Sequence, residues 1–176
     1  PEEIRKSFSR NFSLRRMRLS FQEAASVNRI QIISNFIQKA MNLDVLDLKL
    51  PMSFLTPNII PNFGKLFQQI NQRKITTLIL DIACEFIDAQ DAEQFGKNFT
   101  HLQKIEKLKL SLKPNSGQIE SGILMGIIEK ISSLNQLLFF DFSSSGNKIK
   151  TNQTLITQKL SFTKLRYLSL QGLSLS

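Results

Sequence analysis

An α/β array, in which parallel strands form one face and helices the other, is what this chain predicts, on three observations. First, one apolar frame recurs. The pattern apolar–x–x–apolar–x–apolar begins at Leu14, Leu43, Ile75, Ile105, Leu137 and Leu165, in steps of 29, 32, 30, 32 and 28 residues. Second, apolar residues alternate within each frame, the period of a strand with one buried face. Third, the spacing between frames becomes helical, as at Val27, Ile30, Ile33, Phe36, Ile37 and Ala40. Strand, helix and strand again in one frame require a crossover and hence parallel pairing. The near-constant period stacks each strand on the one before it, so residues 1–176 read as a single array of about six units, a solenoid. Helices are wider than the strand spacing of about 4.8 Å, so the stack curves, with strands on its concave face and helices on its convex face.

Taken in order, residues 1–12 carry Ile4, Phe8 and Phe12 at four-residue spacing behind Glu2 and Glu3. That predicts an amphipathic helix with its acids at the favourable end of the dipole. Met17, Leu19 and Phe21 mark the first strand, and a helix follows over 27–41. The second strand, Leu46, Leu48 and Leu50, should end at Pro51, which donates no hydrogen bond. Residues 57–61, with two prolines, read as a loop, and Phe63, Leu66, Phe67 and Ile70 as a short helical stripe. Leu78, Leu80 and Ile82 form the third strand. Phe95, Phe99 and Leu102 mark a helix that Asp91 is placed to cap. The fourth strand, Leu108 to Leu112, leads through a turn at 113–117 to a helix over 119–134. Phe140 and Phe142 make the fifth strand. A serine-rich loop at 143–147, a weaker helix around 155–160 and the strand of Leu168 and Leu170 complete the chain. The expected core comprises Met17, Leu19, Leu46, Leu48, Leu78, Leu80, Leu108, Leu110, Phe140, Phe142, Leu168 and Leu170.

Composition excludes several classes. No 18-residue apolar run exists, so no membrane-spanning helix is expected. Cys84 is the sole cysteine, which rules out an internal disulfide and fits an intracellular, reducing compartment, the cytoplasm first, with mitochondrion and nucleus as alternatives. The chain has one histidine and one cysteine, and His101 reads as a surface residue at a helix end, so neither a hydrolase triad nor a metal site is expected and no cofactor is called for. Ser161 and Lys164 match S-x-x-K without its companion motifs, and Gly64-Lys65 and Gly96-Lys97 lack the upstream glycine of a phosphate loop. These glycines read as packing positions at helix starts.

The frames resemble leucine-rich repeats, specifically the long, helix-bearing class typified by ribonuclease inhibitor. The residues that carry the resemblance are Leu43, Leu46 and Leu48; Ile75, Leu78 and Leu80; Ile105, Leu108 and Leu110; and Leu165, Leu168 and Leu170. Leu137, Phe140 and Phe142, and Leu14, Met17 and Leu19, match more loosely. Where the family places Asn or Cys after the strand, this chain has Pro51, Ala83, Lys113, Ser145 and Leu173, which implies irregular loops. Leu173 and Leu175 are not polar caps, so the array is expected either to be part of a longer solenoid or to pack its end units against a partner.

Function is then a matter of the outward-facing residues of each strand, which fall into three rows. The first is Arg16, Val45, Thr77, Lys107, Phe139 and Tyr167. The second is Arg18, Asp47, Ile79, Lys109, Asp141 and Ser169, and the third Ser20, Lys49, Asp81, Ser111, Ser143 and Gln171. Phe139 and Tyr167 should form an aromatic pair beside Lys107 and Lys109. With Ile79, Arg16 and Arg18, these residues are the candidate partner-binding set. They point to a non-catalytic protein–protein interaction scaffold or a structural subunit of a larger assembly. A net charge of +9, with six of its cations in residues 1–20, suggests nucleic-acid association as the alternative. A third class is a set of targeting or regulatory repeats in a larger enzyme such as a kinase or ubiquitin ligase.

Overall fold

The computed structural model describes residues 14–21, 27–55, 58–84, 89–114, 119, 121–144, 149–151, 162–171 and 173–175. It is an α/β fold. Strands β1 (Arg16–Ser20), β2 (Val45–Leu55), β3 (Thr77–Cys84), β4 (Lys107–Pro114), β5 (Phe139–Ser144) and β7 (Tyr167–Gln171) form one parallel sheet in chain order. Helices α1 (Val27–Lys39), α2 (Ile60–Gln72), α3 (Ala89–Phe99) and α4 (Ser121–Ser132) connect the first five strands and pack against one another in the same order. Two short strands, β6 (Ile149–Thr151) and β8 (Leu173–Leu175), pair in parallel as a separate sheet that the sequence does not announce.

Each unit is tied to the next by the same hydrogen bonds. The carbonyls of Arg15, Asp44, Thr76, Glu106 and Leu138 each accept two consecutive backbone N–H groups from the following unit, at 2.8–3.1 Å. The acceptors stand 29, 32, 30 and 32 residues apart, matching the steps of the apolar frame. Register follows. Met17, Leu46, Leu78, Leu108, Phe140 and Leu168 are successive partners, as are Leu19, Leu48, Leu80, Leu110, Phe142 and Leu170. These ladders face the helices, and from Leu46 to Phe142 every member is fully buried.

The helices supply the other half of the core. Phe63 and Phe67 of α2 and Phe95 and Phe99 of α3 form a closed ring of aromatic contacts, with centroids 5.0–5.7 Å apart. Two mid-helix glycines let helices approach closely. A Cβ on Gly64 would lie 2.9 Å from the Asn98 side-chain oxygen, and one on Gly96 would lie 3.4 Å from Ile127 Cα. Asn98 is buried and donates to the Ile60 carbonyl at 2.8 Å, which stitches α3 to the start of α2. The Arg73 guanidinium donates to the Gln38 carbonyl at 2.6 Å, satisfying an orphan acceptor in the last turn of α1.

Several expectations need correction. Pro51 does not end β2. Strand pairing continues to Leu55, but the register slips between Leu50 and Leu55, because a residue without an N–H breaks the ladder without preventing extension. Helix α2 starts inside the expected loop, with Pro61 in its first turn, where the missing N–H is tolerated. Asp91 lies within the first turn of α3 and not at its cap, favourable to the dipole all the same. Gly64 and Gly96 lie within α2 and α3, not at their starts. Leu168 is 42% exposed, and Leu19 and Leu170 are only partly buried. Leu168 and Leu170 belong to the edge strand β7, and no described helix follows β5 to cover them. The helices expected over 1–12 and 155–160, the turn at 115–117 and residues 145–147 lie outside the described residues.

Candidate functional site

The side of the sheet away from the helices carries the three rows read from the sequence. Strand pairing places Arg16, Val45, Thr77, Lys107, Phe139 and Tyr167 in one line of successive partners. The second and third rows align in the same way. Alternation is the cause: each strand sends even steps to the core and odd steps to this open face. In β3 the alternation of half-buried and buried residues is complete along its whole length.

At the β5–β7 end of the first row, the rings of Phe139 and Tyr167 lie parallel, 4.3 Å apart with 3° between their planes. Tyr167 remains 49% exposed, while Phe139 is half-buried. Lys107, the next residue in the row, is exposed and has no ion pair among the described residues. The sheet thus presents an aromatic patch beside a lone ammonium group. Arg16 is exposed on β1, at the opposite edge of the sheet, so the fold does not bring it to the aromatic pair.

The second row is a line of cross-strand ion pairs. Arg18 Nε lies 3.3 Å from Asp47 Oδ2, and Lys109 Nζ lies 2.9 Å from Asp141 Oδ2. In both pairs the cation is exposed and the carboxylate is buried. Asp47 and Asp141 are thus buried although their rows face outward. A carboxylate is short and sits down on the pleat, whereas Arg and Lys extend past it into water. Asp141, by hydrogen bond first and by charge second, holds the Lys109 ammonium protonated above its ordinary range. The other oxygen, Asp141 Oδ1, is buried with no hydrogen-bond partner. In the third row, Asp81 accepts from Lys113 Nζ at 2.8 Å.

Between these pairs lies a depression of about 340 Å³, with Ile79 and Lys49 among its lining residues. Ile79 is half-buried, so it offers apolar surface inside a polar rim. The candidate set named from sequence therefore divides. Lys107, Phe139 and Tyr167 are contiguous, Ile79 and Lys109 flank the depression, and Arg18 is committed to Asp47. Asp47, Asp81, Asp141, Lys49 and Lys113 were not singled out. The signal for two of these pairings was present: Arg18 and Asp47 are 29 residues apart and Lys109 and Asp141 are 32 apart, each one step of the frame, whereas Lys113 lies two residues beyond Ser111, the strand partner of Asp81.

Away from the open face lie Cys84 and His101. Burial pushes the Cys84 thiol up to about 12, leaving it protonated and unreactive. His101 sits 3.4 Å from the Gln68 amide on the helix side. Among the described residues, no group of three or more His, Cys, Asp or Glu side chains is placed to hold a metal ion. No described helix is long and apolar enough to cross a membrane. Compared with protein-family models the chain matches none, and the comparison with curated proteins returns no match either.

Proposed function

We propose that this chain is a leucine-rich-repeat-like solenoid that acts, without catalysis of its own, as a protein-binding scaffold or as a structural subunit of an assembly. The open face of the sheet is its docking surface. One observation carries the reading: the Phe139–Tyr167 stack, with Tyr167 49% exposed, stands on a face that is otherwise largely polar. Rigid aromatic side chains lose little entropy on binding and dominate interface energetics. The repeated carbonyl clamps and in-register ladders support the solenoid reading, because each unit buries its apolar residues only against its neighbours.

The alternative, a nucleic-acid-binding face, is weaker. Asp47, Asp81 and Asp141 lie among its cations and cancel much of the charge that phosphates would seek.

The test is a pair of substitutions, Phe139→Ala with Tyr167→Ala. Truncating an interface aromatic costs about 2 kcal/mol or more, a loss of about 30-fold in affinity. Proteins captured by the wild-type chain from a lysate are expected to be lost by a double variant that keeps its circular dichroism spectrum. Undiminished capture by the folded variant would overturn this reading.

A further inference from the structure

The acidic residues on the three rows are all neutralised from within the face. Asp47 pairs with Arg18, Asp141 with Lys109 and Asp81 with Lys113. Among the described residues, Arg16, Lys49 and Lys107 on those rows carry no ion pair. The face therefore presents positive charge at three separate points and no uncompensated negative charge, which selects for an acidic visitor.

Strand register spaces these points. Arg16 and Lys107 stand in one row, three strands apart, or about 14 Å at the usual strand separation. From Lys107 to the middle of the Phe139–Tyr167 stack is about 7 Å on the same basis. An extended chain advances about 3.4 Å per residue and turns every second side chain to one face. Laid across the strands, such a chain meets Arg16 with residue i, Lys107 with residue i+4 and the aromatic stack with residue i+6. All of these are even steps, so the three side chains share one face. Residue i+2 falls over Val45 and Thr77, where an uncharged side chain fits.

We infer, on the strength of the protein-binding reading above, that the occupant is an extended acidic protein segment. It has carboxylates at i and i+4 and an aromatic or large aliphatic side chain at i+6, and it crosses the sheet from β1 to β7. A nucleic acid fits the row less well, because its phosphate at every nucleotide would leave charge over Val45 and Thr77.

The probe is a synthetic heptapeptide with aspartate at its first and fifth positions, phenylalanine at its seventh and serine elsewhere, titrated into the full chain and followed by NMR. Saturable shifts at Lys107, Phe139 and Tyr167 are expected. Moving the second aspartate to the fourth position should weaken binding. Lys107→Glu, in a chain whose spectrum is otherwise retained, should weaken it by about tenfold, since an exposed attraction becomes a repulsion. Equal binding by a peptide with asparagine in place of both aspartates would overturn the acidic assignment and leave the protein-binding reading standing. Absence of any shift at millimolar acidic peptide would overturn it likewise, with that reading still judged by capture. A single-stranded RNA oligonucleotide that shifts the same row at lower concentration than the peptide would overturn both.

Discussion

Leu110 shows how much one position carries. It is fully buried, with Leu80 and Phe142 as its partners in the strands on either side. Leu110→Asp would place a charge there without a counterion, which costs at least about 3 kcal/mol. For a chain of this size the expected fall in melting temperature is about 10 °C, measurable by calorimetry. An unchanged melt would mean that Leu110 faces the other way. Cys84 gives a pH signature. Its ordinary value is 9.0, and burial pushes it up to about 12 in the folded protein. A raised value means that the unfolded chain loses the proton first, so this contribution to stability is complete below 9.0 and is lost as pH rises towards 12. Denaturant midpoints of the wild-type chain are expected to fall over that range more steeply than those of Cys84→Ala. Parallel curves would place the thiol in water.

At the scale of elements, the helices depend on two contacts that periodicity alone does not reveal. The ring of Phe63, Phe67, Phe95 and Phe99 joins α2 to α3, and all four side chains are fully buried. Phe95→Ala is expected to cost about 3–5 kcal/mol, the usual range for emptying a phenylalanine site, as read from urea unfolding. Gly64→Ala sets a new methyl 2.9 Å from Asn98 Oδ1. The amide must then move and loosen its bond to the Ile60 carbonyl, so destabilisation is expected although alanine is the better helix former. A stabilised Gly64→Ala would show that Asn98 gives way freely. The four stripes of helical apolar residues were readable because their spacing is set by the helix itself. The start of α2 at Ile60 was not, since Pro57 and Pro61 read equally as a loop, and only packing decides that Pro61 opens a helix. Pro51 misled in the opposite sense: its local rule forbids a donor, but pairing resumes with shifted register at Leu55.

For the whole molecule, the frame and its period were enough to place six strands side by side and to align Phe139 with Tyr167, because parallel register is inherited from unit to unit. What the sequence leaves open is whatever depends on neighbours outside a unit. Leu168 looks like core by alternation and is exposed on the edge strand, and the pairing of β6 with β8 has no counterpart in the frame. The burial of Asp47 and Asp141 is of the same kind, since it arises only when Arg18 and Lys109 arrive from the adjacent strands. The central claim is that a protein partner docks on the open face of the sheet and not on the helices. Hydroxyl-radical footprinting of the chain with its captured partner tests this most directly, because reactive side chains are exposed on both sides: Tyr167 on the open face, and Ile32 of α1 and Met41 just beyond that helix. The expected result is protection of Tyr167 and Phe139 with Ile32 and Met41 unchanged; protection of Ile32 and Met41 with Tyr167 still fully reactive would contradict it.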